Sequence, residues 1–102
     1  MKITIVGATD LFQLGNLYLT AGVSDRIAHD VEFAKFCAQS LARHKAGDWG
    51  DMCAADKKEN EFALDQYLRI FSAYENKELR TKIWLITEAD RKSTTILFPE
   101  EY

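Results

Sequence analysis

The last third of the chain alternates apolar and polar side chains with a period of two, which is typical of β-strands. This pattern predicts three strands, over residues 68–74, 82–88 and 93–98. A polar connection, ENKELR, separates the first two strands, and a short turn, ADRK, separates the last two. Because short connections join neighbouring antiparallel strands, we expect a three-stranded meander.

The last two of these strands form a predicted hairpin whose turn centres on Asp90 and Arg91. This register divides their side chains between two faces of the sheet. One face carries Ile83, Leu85, Thr87, Thr94, Ile96 and Phe98, and the other carries Trp84, Ile86, Thr95 and Leu97. Both faces are largely apolar, so we expect the hairpin to lie in the centre of the sheet.

Two further strands are predicted near the start of the chain. The segment MKITIVG, at residues 1–7, is rich in Ile and Val, and NLYLTAG, at residues 16–22, alternates its apolar side chains. Gly22 is expected to end the second strand.

An amphipathic helix is predicted over residues 31–43. Its apolar stripe recurs at steps of three and four residues, and its members are Val31, Ala34, Cys37, Ala38 and Leu41, widened by Phe33 and Phe36. Ser24 or Asp30 is expected to cap the N-terminus, and Gly47 to follow the C-terminus.

A second helix is predicted to begin near Cys53. Asp56 then lies in the first turn, where the helix dipole stabilises a carboxylate. We expect its apolar face to consist of Phe62, Ala63 and Tyr67.

Helices and strands are thus segregated along the chain, which predicts the α+β fold class. We expect a small antiparallel sheet packed against two helices. The sheet contains the three C-terminal meander strands plus one or two N-terminal strands. A chain of 102 residues suits one hydrophobic core, so residues 1–102 are expected to form a single domain.

The net charge of −3 and the pI of about 5.3 narrow the class of partner. Direct nucleic-acid binding is disfavoured, because such proteins carry a basic surface against the phosphates. An acidic surface suits a protein partner, including a basic groove that normally holds nucleic acid. The sequence shows neither a signal peptide nor a membrane span, so we expect a cytoplasmic protein with free thiols.

Carboxylates cluster in the segment RHKAGDWGDMCAADKKEN, at residues 43–60. Asp48, Asp51, Asp56 and Glu59 could converge on a hard cation through their oxygens. Their spacing does not match the EF-hand ladder, and no CxxC or HxxxH pair indicates zinc. A connection between two helices with capping carboxylates explains the same residues, so we expect neither a metal nor another cofactor.

Three other features have both a chemical and a structural interpretation. Cys53 near a helix N-terminus is a candidate nucleophile with His29 or His44 as its base, although nothing places either imidazole beside it. Cys37 lies on an apolar stripe and is expected in the core. Trp49, between two Gly-Asp steps, either anchors the loop from below or stands out as a binding hot spot, and we favour the anchor.

The predicted hairpin tip carries Glu88, Asp90 and Arg91. These residues are compatible with an acid/base pair and an arginine clamp. We favour turn-forming residues and solvated charges instead, because Asp commonly forms such turns.

The motifs GDWGD and ITEADR, together with the FPEEY end, resemble a family of small uncharacterised proteins carried on bacterial plasmids, integrative elements and phages. The resemblance covers roughly residues 17–102 and includes VSDRIAHDVEFAKFCAQSLARH. It implies a genomic context and no particular chemistry. The chain departs from the family at LTAGV, where a more basic turn is expected.

Charge and this context together predict a non-enzymatic protein of a mobile genetic element that binds another protein. The most specific form of this prediction is an inhibitor of a bacterial defence complex, of the anti-CRISPR or anti-restriction type. Its acidic side chains would occupy a basic groove of a host protein or nucleoprotein complex. The predicted partner-binding residues are Asp48, Trp49, Asp51, Asp56, Glu59, Glu61, Glu100 and Glu101.

Two alternative functions are open. One is a plasmid or phage accessory or regulatory protein that binds a partner encoded by the same element. The other is a small metal-dependent hydrolase that uses the acidic GDWGD loop.

Overall fold

A computed structural model describes residues 10–102 of the chain. The strand predicted at residues 1–7 therefore lies outside the described residues. Within them the elements are β1 (Asn16–Leu19), α1 (Ala21–His29), α2 (Val31–Lys45), α3 (Ala54–Gln66), β2 (Ile70–Asn76), β3 (Thr81–Thr87), β4 (Ser93–Leu97) and a short 3-10 helix, Pro99–Glu101.

The strands form one four-stranded sheet in the order β1-β4-β3-β2. Its three C-terminal strands are the predicted antiparallel meander. Strand β1, however, pairs in parallel with β4, so the prediction of an antiparallel sheet is wrong for this edge. Parallel neighbours need a long connection, and here all three helices and two strands lie between the paired segments.

The α+β fold class is confirmed, with the helices packed against the sheet. Three helices are present among the described residues where two were predicted. The additional helix, α1, occupies the end of the segment predicted as a strand, and Val23 is its one fully buried residue. Ser24 lies inside α1 and caps nothing, whereas Asp30 caps α2 as predicted, since its Oδ1 accepts the Phe33 N–H at 3.0 Å.

The main core lies between one sheet face and helices α1 and α2. The predicted hairpin register is confirmed: Leu85 lies opposite Ile96, and Thr87 lies opposite Thr94. The core face of the hairpin packs with residues of both helices, namely Val23, Phe33, Phe36 and Cys37. Strands β3 and β4 are the two central strands of the sheet, as both apolar faces predicted.

The buried face of α2 is rotated from the predicted stripe. Val31 is 69% exposed and Ala38 is also exposed. The buried residues are Phe33, Phe36, Cys37, Ser40 and His44. Phe33, Phe36 and Cys37 are thus buried as predicted. The two phenylalanine rings bury far more apolar area than the alanines of the stripe, so their side of the helix faces the sheet.

Candidate functional site

The connection between α2 and α3 carries the GDWGD motif and lies along the outer edge of β2. Gly47 and Gly50 both have left-handed backbone conformations, with φ of 87° and 80°. Gly50 forms an isolated bridge with Ala73 of β2. A Cβ on Gly50 would lie 2.1 Å from the Ala73 carbonyl oxygen, so glycine is what allows this close approach.

This connection forms hydrogen bonds with backbone groups on the outer edge of β2. The Asp51 N–H donates to the Ala73 carbonyl at 2.7 Å, and the Ala73 N–H donates to the Trp49 carbonyl at 3.3 Å. Two residues further along, the Glu75 N–H donates to Oδ2 of Asp51 at 2.9 Å. Unpaired backbone N–H and C=O groups at a sheet edge can pair with strands of other molecules. The GDWGD segment therefore covers this edge of β2.

Helix α3 extends the same cover through Asn60, which is 3% exposed. Its amide donates to the Phe71 carbonyl at 2.6 Å, and its oxygen accepts the Phe71 N–H at 3.1 Å. Asn60 and Ala63 are the buried residues of α3, whereas Phe62 and Tyr67 are exposed. The predicted apolar face of α3 is therefore wrong at these two positions, because a polar side chain attaches the helix to the sheet.

Trp49 lies beneath the loop and is 4% exposed. It packs with Ala63 and Ile70, and its indole N–H donates to Oε2 of Glu61 at 2.8 Å. Trp49 therefore anchors the loop from below, which is the alternative that the sequence analysis favours. The ring of Trp49 is not available to a partner, although Trp49 is one of the predicted partner-binding residues.

Asp48 is ion-paired within the loop. Its carboxylate accepts hydrogen bonds from Nε and Nη2 of Arg43 at 2.7 and 3.1 Å, and from the Gly50 N–H at 3.2 Å. The bond to Arg43 is the main reason that the pKa of Asp48 lies below its usual value. Its negative charge is therefore largely compensated within the protein.

Four other predicted residues near the loop and α3 keep an exposed negative charge; we call Asp51, Asp56, Glu59 and Glu61 the acidic region. Asp51 and Glu61 accept hydrogen bonds from a backbone N–H and an indole N–H, which are uncharged donors. Asp56 and Glu59 flank a shallow groove between α3 and β2. The arrangement supplies four surface carboxylates, of which Asp51 and Glu61 are held in place by hydrogen bonds.

The last two predicted residues, Glu100 and Glu101, lie elsewhere. Glu101 accepts hydrogen bonds from the Thr20 hydroxyl, from the Gly22 N–H at 2.8 Å and from the Phe98 N–H at 3.1 Å. The Thr20 bond is the main cause of its lowered pKa. Glu101 thus caps α1 beside β1, while the acidic region lies beside β2 at the opposite edge of the sheet. Glu100 is exposed.

The metal-site hypothesis gains no support from residues 10–102, where no three His, Cys, Asp or Glu side chains come together in a way that could hold an ion. Cys53 is exposed at the N-cap of α3. Both ring nitrogens of His44 are engaged by the hydroxyls of Ser72 and Thr87, so His44 does not serve Cys53 as a base. Cys37 is a core residue as predicted, and burial raises the pKa of its thiol to about 11.

The prediction of a solvated turn charge is wrong for Arg91, because this residue is only 8% exposed. Its guanidinium donates to four backbone carbonyls at 2.7 to 3.2 Å: that of Ala63 in α3, that of Leu68 just after α3, and those of Glu88 and Ala89 between β3 and β4. The Ala63 and Leu68 carbonyls lie at the C-terminal end of α3, where a cation is favoured by the helix dipole. Arg91 therefore joins α3 to the hairpin tip.

A buried chain of hydrogen bonds centres on His44 and was also not predicted. The Thr94 hydroxyl must donate to the Leu14 carbonyl, 2.8 Å away, because a carbonyl only accepts. Thr94 then accepts from Thr87, and Thr87 accepts from Nε2 of His44 at 2.7 and 2.8 Å. Burial lowers the pKa of the His44 imidazole to about 3, so the ring is neutral at pH 7, its Nδ1 accepts from the Ser72 hydroxyl, and the hydrogen bonds run in a single direction.

Comparison of the chain with protein-family models, with curated proteins and with solved structures finds no match in any of the three. Across residues 10–102, none of the helices has the length and apolar character needed to cross a membrane.

Replacing Gly50 by alanine is expected to lower the free energy of unfolding by about 3 kcal/mol, because a left-handed alanine is strained and its Cβ meets the Ala73 carbonyl. Gly47→Ala is the matched control. Gly47 has the same backbone conformation, but its added Cβ meets the end of the Leu11 side chain, which can rotate away. We expect a loss of about 1 kcal/mol there. Urea unfolding measures both, and equal losses would argue against the edge cover.

Proposed function

We propose that this protein is a non-enzymatic inhibitor of a bacterial defence complex, carried by a mobile genetic element and acting in the cytoplasm of the bacterial host. It binds a basic groove of its target through the acidic region and thereby competes with nucleic acid. The resemblance of GDWGD, ITEADR and FPEEY to proteins of plasmids and phages supplies the genomic context.

The observation that carries this proposal is the concentration of charge in one short segment. Residues 48–61 contain five carboxylates and two lysines, so their formal net charge of −3 equals that of the whole chain, and four of the five carboxylates remain after Asp48 is paired with Arg43 outside this segment. The rest of the protein is electrically balanced. A basic partner is therefore attracted to the GDWGD loop and the first half of α3 more than to any other segment.

The way in which the carboxylates are held adds to their suitability for binding. Asp51 is fixed by the Glu75 N–H and Glu61 by the Trp49 indole, so these two side chains lose little conformational freedom when a partner binds. Their donors are uncharged, which leaves the negative charge available to arginine or lysine side chains of the target.

Asp56 and Glu59 provide the test with the least structural disturbance, because both side chains are exposed. The double variant Asp56→Asn/Glu59→Gln removes two charges and keeps the shape. We expect it to bind the target about tenfold more weakly than wild type at moderate salt. The control pair Asp25→Asn/Glu78→Gln removes two exposed charges outside residues 48–61 and is expected to bind normally.

The biological readout is interference in a host strain with an active CRISPR or restriction system. Expression of the wild type and of the control pair is expected to restore phage or plasmid entry, and expression of the Asp56→Asn/Glu59→Gln variant is expected to restore much less. Unchanged interference on expression of the wild type against the tested systems would contradict the proposal.

A further inference from the structure

A groove of about 290 Å³ lies between α3 and β2, on the sheet face opposite to the main core. Phe71 belongs to this face, because strand side chains alternate and its neighbours Ile70 and Ser72 point to the buried side. The apolar lining of the groove, which we call the floor, consists of Met52, Ala63, Leu68 and Phe71. Leu68 is 46% exposed, so part of this floor is open to water.

Two carboxylates flank the floor. Asp56 and Glu59 are three residues apart on α3, so they lie on the same side of the helix. Both side chains are exposed. Lys57 and Lys58, which stand between them in the sequence, do not line the groove. This wall of the groove is therefore negatively charged.

The other polar residues of the lining are engaged elsewhere. The Asn60 amide bonds both backbone groups of Phe71. Arg69 is ion-paired with Glu88 at 3.2 Å, and its Nη1 lies 3.4 Å from the Tyr102 hydroxyl. The groove therefore presents two exposed carboxylates beside an apolar floor, and the charge of its one arginine is matched by a glutamate of the sheet.

We propose that this groove takes the side chain of an arginine from a basic protein partner. The methylene groups of that arginine lie on the floor, and its guanidinium lies against the ring of Phe71. Its N–H groups donate to Asp56 and Glu59, which a guanidinium can bridge because it carries five donors in one plane. The inference rests on the proposed function for the class of partner, and it names the side chain that the acidic region receives.

The combination of apolar and charged surface in the groove selects this side chain. An anionic ligand such as a phosphate is repelled by the two carboxylates, and a purely apolar side chain makes no use of them. Lysine has the same charge as arginine. Its ammonium, however, is a compact and strongly hydrated point charge that does not stack on an aromatic ring as a planar guanidinium does.

The groove lies on the other face of the sheet from the described start of the chain. The Leu11 N–H donates to the Lys45 carbonyl at 2.8 Å, and the ring of Phe12 stacks on Trp49, which packs with Ile70 on the core side. Because the titration below uses the whole chain, a groove that residues 1–9 fill would show no binding.

Titration of the isotope-labelled chain with N-acetyl-arginine amide, followed by NMR at constant ionic strength, tests the groove. We expect saturable shifts of the amides of Met52, Asn60 and Phe71, with a dissociation constant on the order of 1 mM. N-acetyl-lysine amide is expected to bind at least about threefold more weakly. N-acetyl-citrulline amide, which has the shape of the arginine probe without its charge, is expected to cause no saturable shift.

Three variants separate the contributions of charge and floor. Asp56→Asn/Glu59→Gln is expected to raise the dissociation constant of the arginine probe at least about tenfold. Leu68→Ala keeps the charges but removes part of the floor, and we expect an increase of about threefold. Val31→Ala shortens an exposed apolar residue on α2 and is expected to have no effect. Absence of saturable shifts, equal binding of the three probes, or equal effects of Leu68→Ala and Val31→Ala would overturn the proposal.

The titration contains no defence complex, so its result is separate from that of the interference assay. Binding of the arginine probe in the groove, together with unchanged interference on expression of the wild type, would contradict the proposed inhibitor and support the arginine groove. Loss of inhibition in Asp56→Asn/Glu59→Gln, without binding of the arginine probe to the wild type, would support the inhibitor and overturn the arginine groove.

Discussion

Replacing His44 by alanine is expected to destabilise the protein by about 4 kcal/mol, the largest effect of any substitution proposed here. His44 is fully buried, and both of its ring nitrogens bond hydroxyls of the sheet. Alanine leaves a cavity beside Trp49 and Phe12 and removes a partner from Ser72 and from Thr87. The loss therefore combines a packing cost with the cost of buried polar groups that have lost a hydrogen bond.

The other histidine of the chain is the control. His29 lies at the exposed end of α1, so His29→Ala is expected to change the free energy of unfolding by less than about 0.5 kcal/mol. Urea unfolding at pH 7 measures both variants. A loss below about 1 kcal/mol for His44→Ala would contradict the buried hydrogen-bond chain.

His44 also predicts how stability depends on pH. Burial lowers the pKa of its imidazole to about 3, from 6.5 in an unfolded chain. Between these values the unfolded state binds a proton that the folded state does not, so stability rises with pH. Acidification below pH 6.5 is therefore expected to cost about 1.4 kcal/mol per pH unit through this residue alone.

The variant His44→Gln isolates this contribution, since glutamine does not titrate. Asp30, Asp48 and Glu101 have lowered pKa values and also make the folded state less stable in acid, but they do so in both proteins. We expect the unfolding free energy of the wild type to fall more steeply than that of His44→Gln between pH 6 and pH 4. Parallel slopes would show that His44 takes up a proton without unfolding.

The second large effect is expected at Arg91. Removing its guanidinium by Arg91→Gly leaves four backbone carbonyls without this donor, and we expect a loss of about 3 kcal/mol. The loss occurs even though glycine relieves the left-handed backbone of this residue, whose φ is 60°. Lysine is expected to restore only part of it, because one ammonium cannot replace the planar set of donors.

Arg80→Gly is the matched control for the backbone. Arg80 has a φ of 51° and is exposed, so glycine relieves the same strain without removing buried hydrogen bonds. We expect it to be neutral or stabilising by up to about 1 kcal/mol. Thermal and urea unfolding of both variants give the comparison. A stabilising Arg91→Gly would mean that the guanidinium does not join α3 to the hairpin.

The parts of the fold that the sequence predicts are local. The hairpin register follows from two apolar faces and a short turn, and the Asp30 cap and Gly47 follow from the chemistry of helix ends. The parallel pairing of β1 with β4 was not predictable in this way. It joins segments about 77 residues apart, and no pattern within β1 distinguishes a parallel neighbour from an antiparallel one.

The polar residues of the interior were missed for a related reason. His44, Asn60 and Arg91 look like surface residues along the sequence, because their partners come from distant strands and carbonyls. The eight predicted partner-binding residues do not all have the same role, again because some of them have partners that are distant in the sequence. Trp49 and Glu101 have internal roles, while the acidic region keeps its charge at the surface.

Affinity recovery from a host lysate, at low and high salt, tests the proposed function most directly. Wild type and Asp25→Asn/Glu78→Gln are predicted to recover a subunit of a CRISPR or restriction complex at low salt and to release it as salt rises. Asp56→Asn/Glu59→Gln is predicted to recover markedly less. Recovery of only an element-encoded protein, or equal recovery of a defence subunit by all three proteins at both salt concentrations, would contradict an inhibitor that acts through its acidic region.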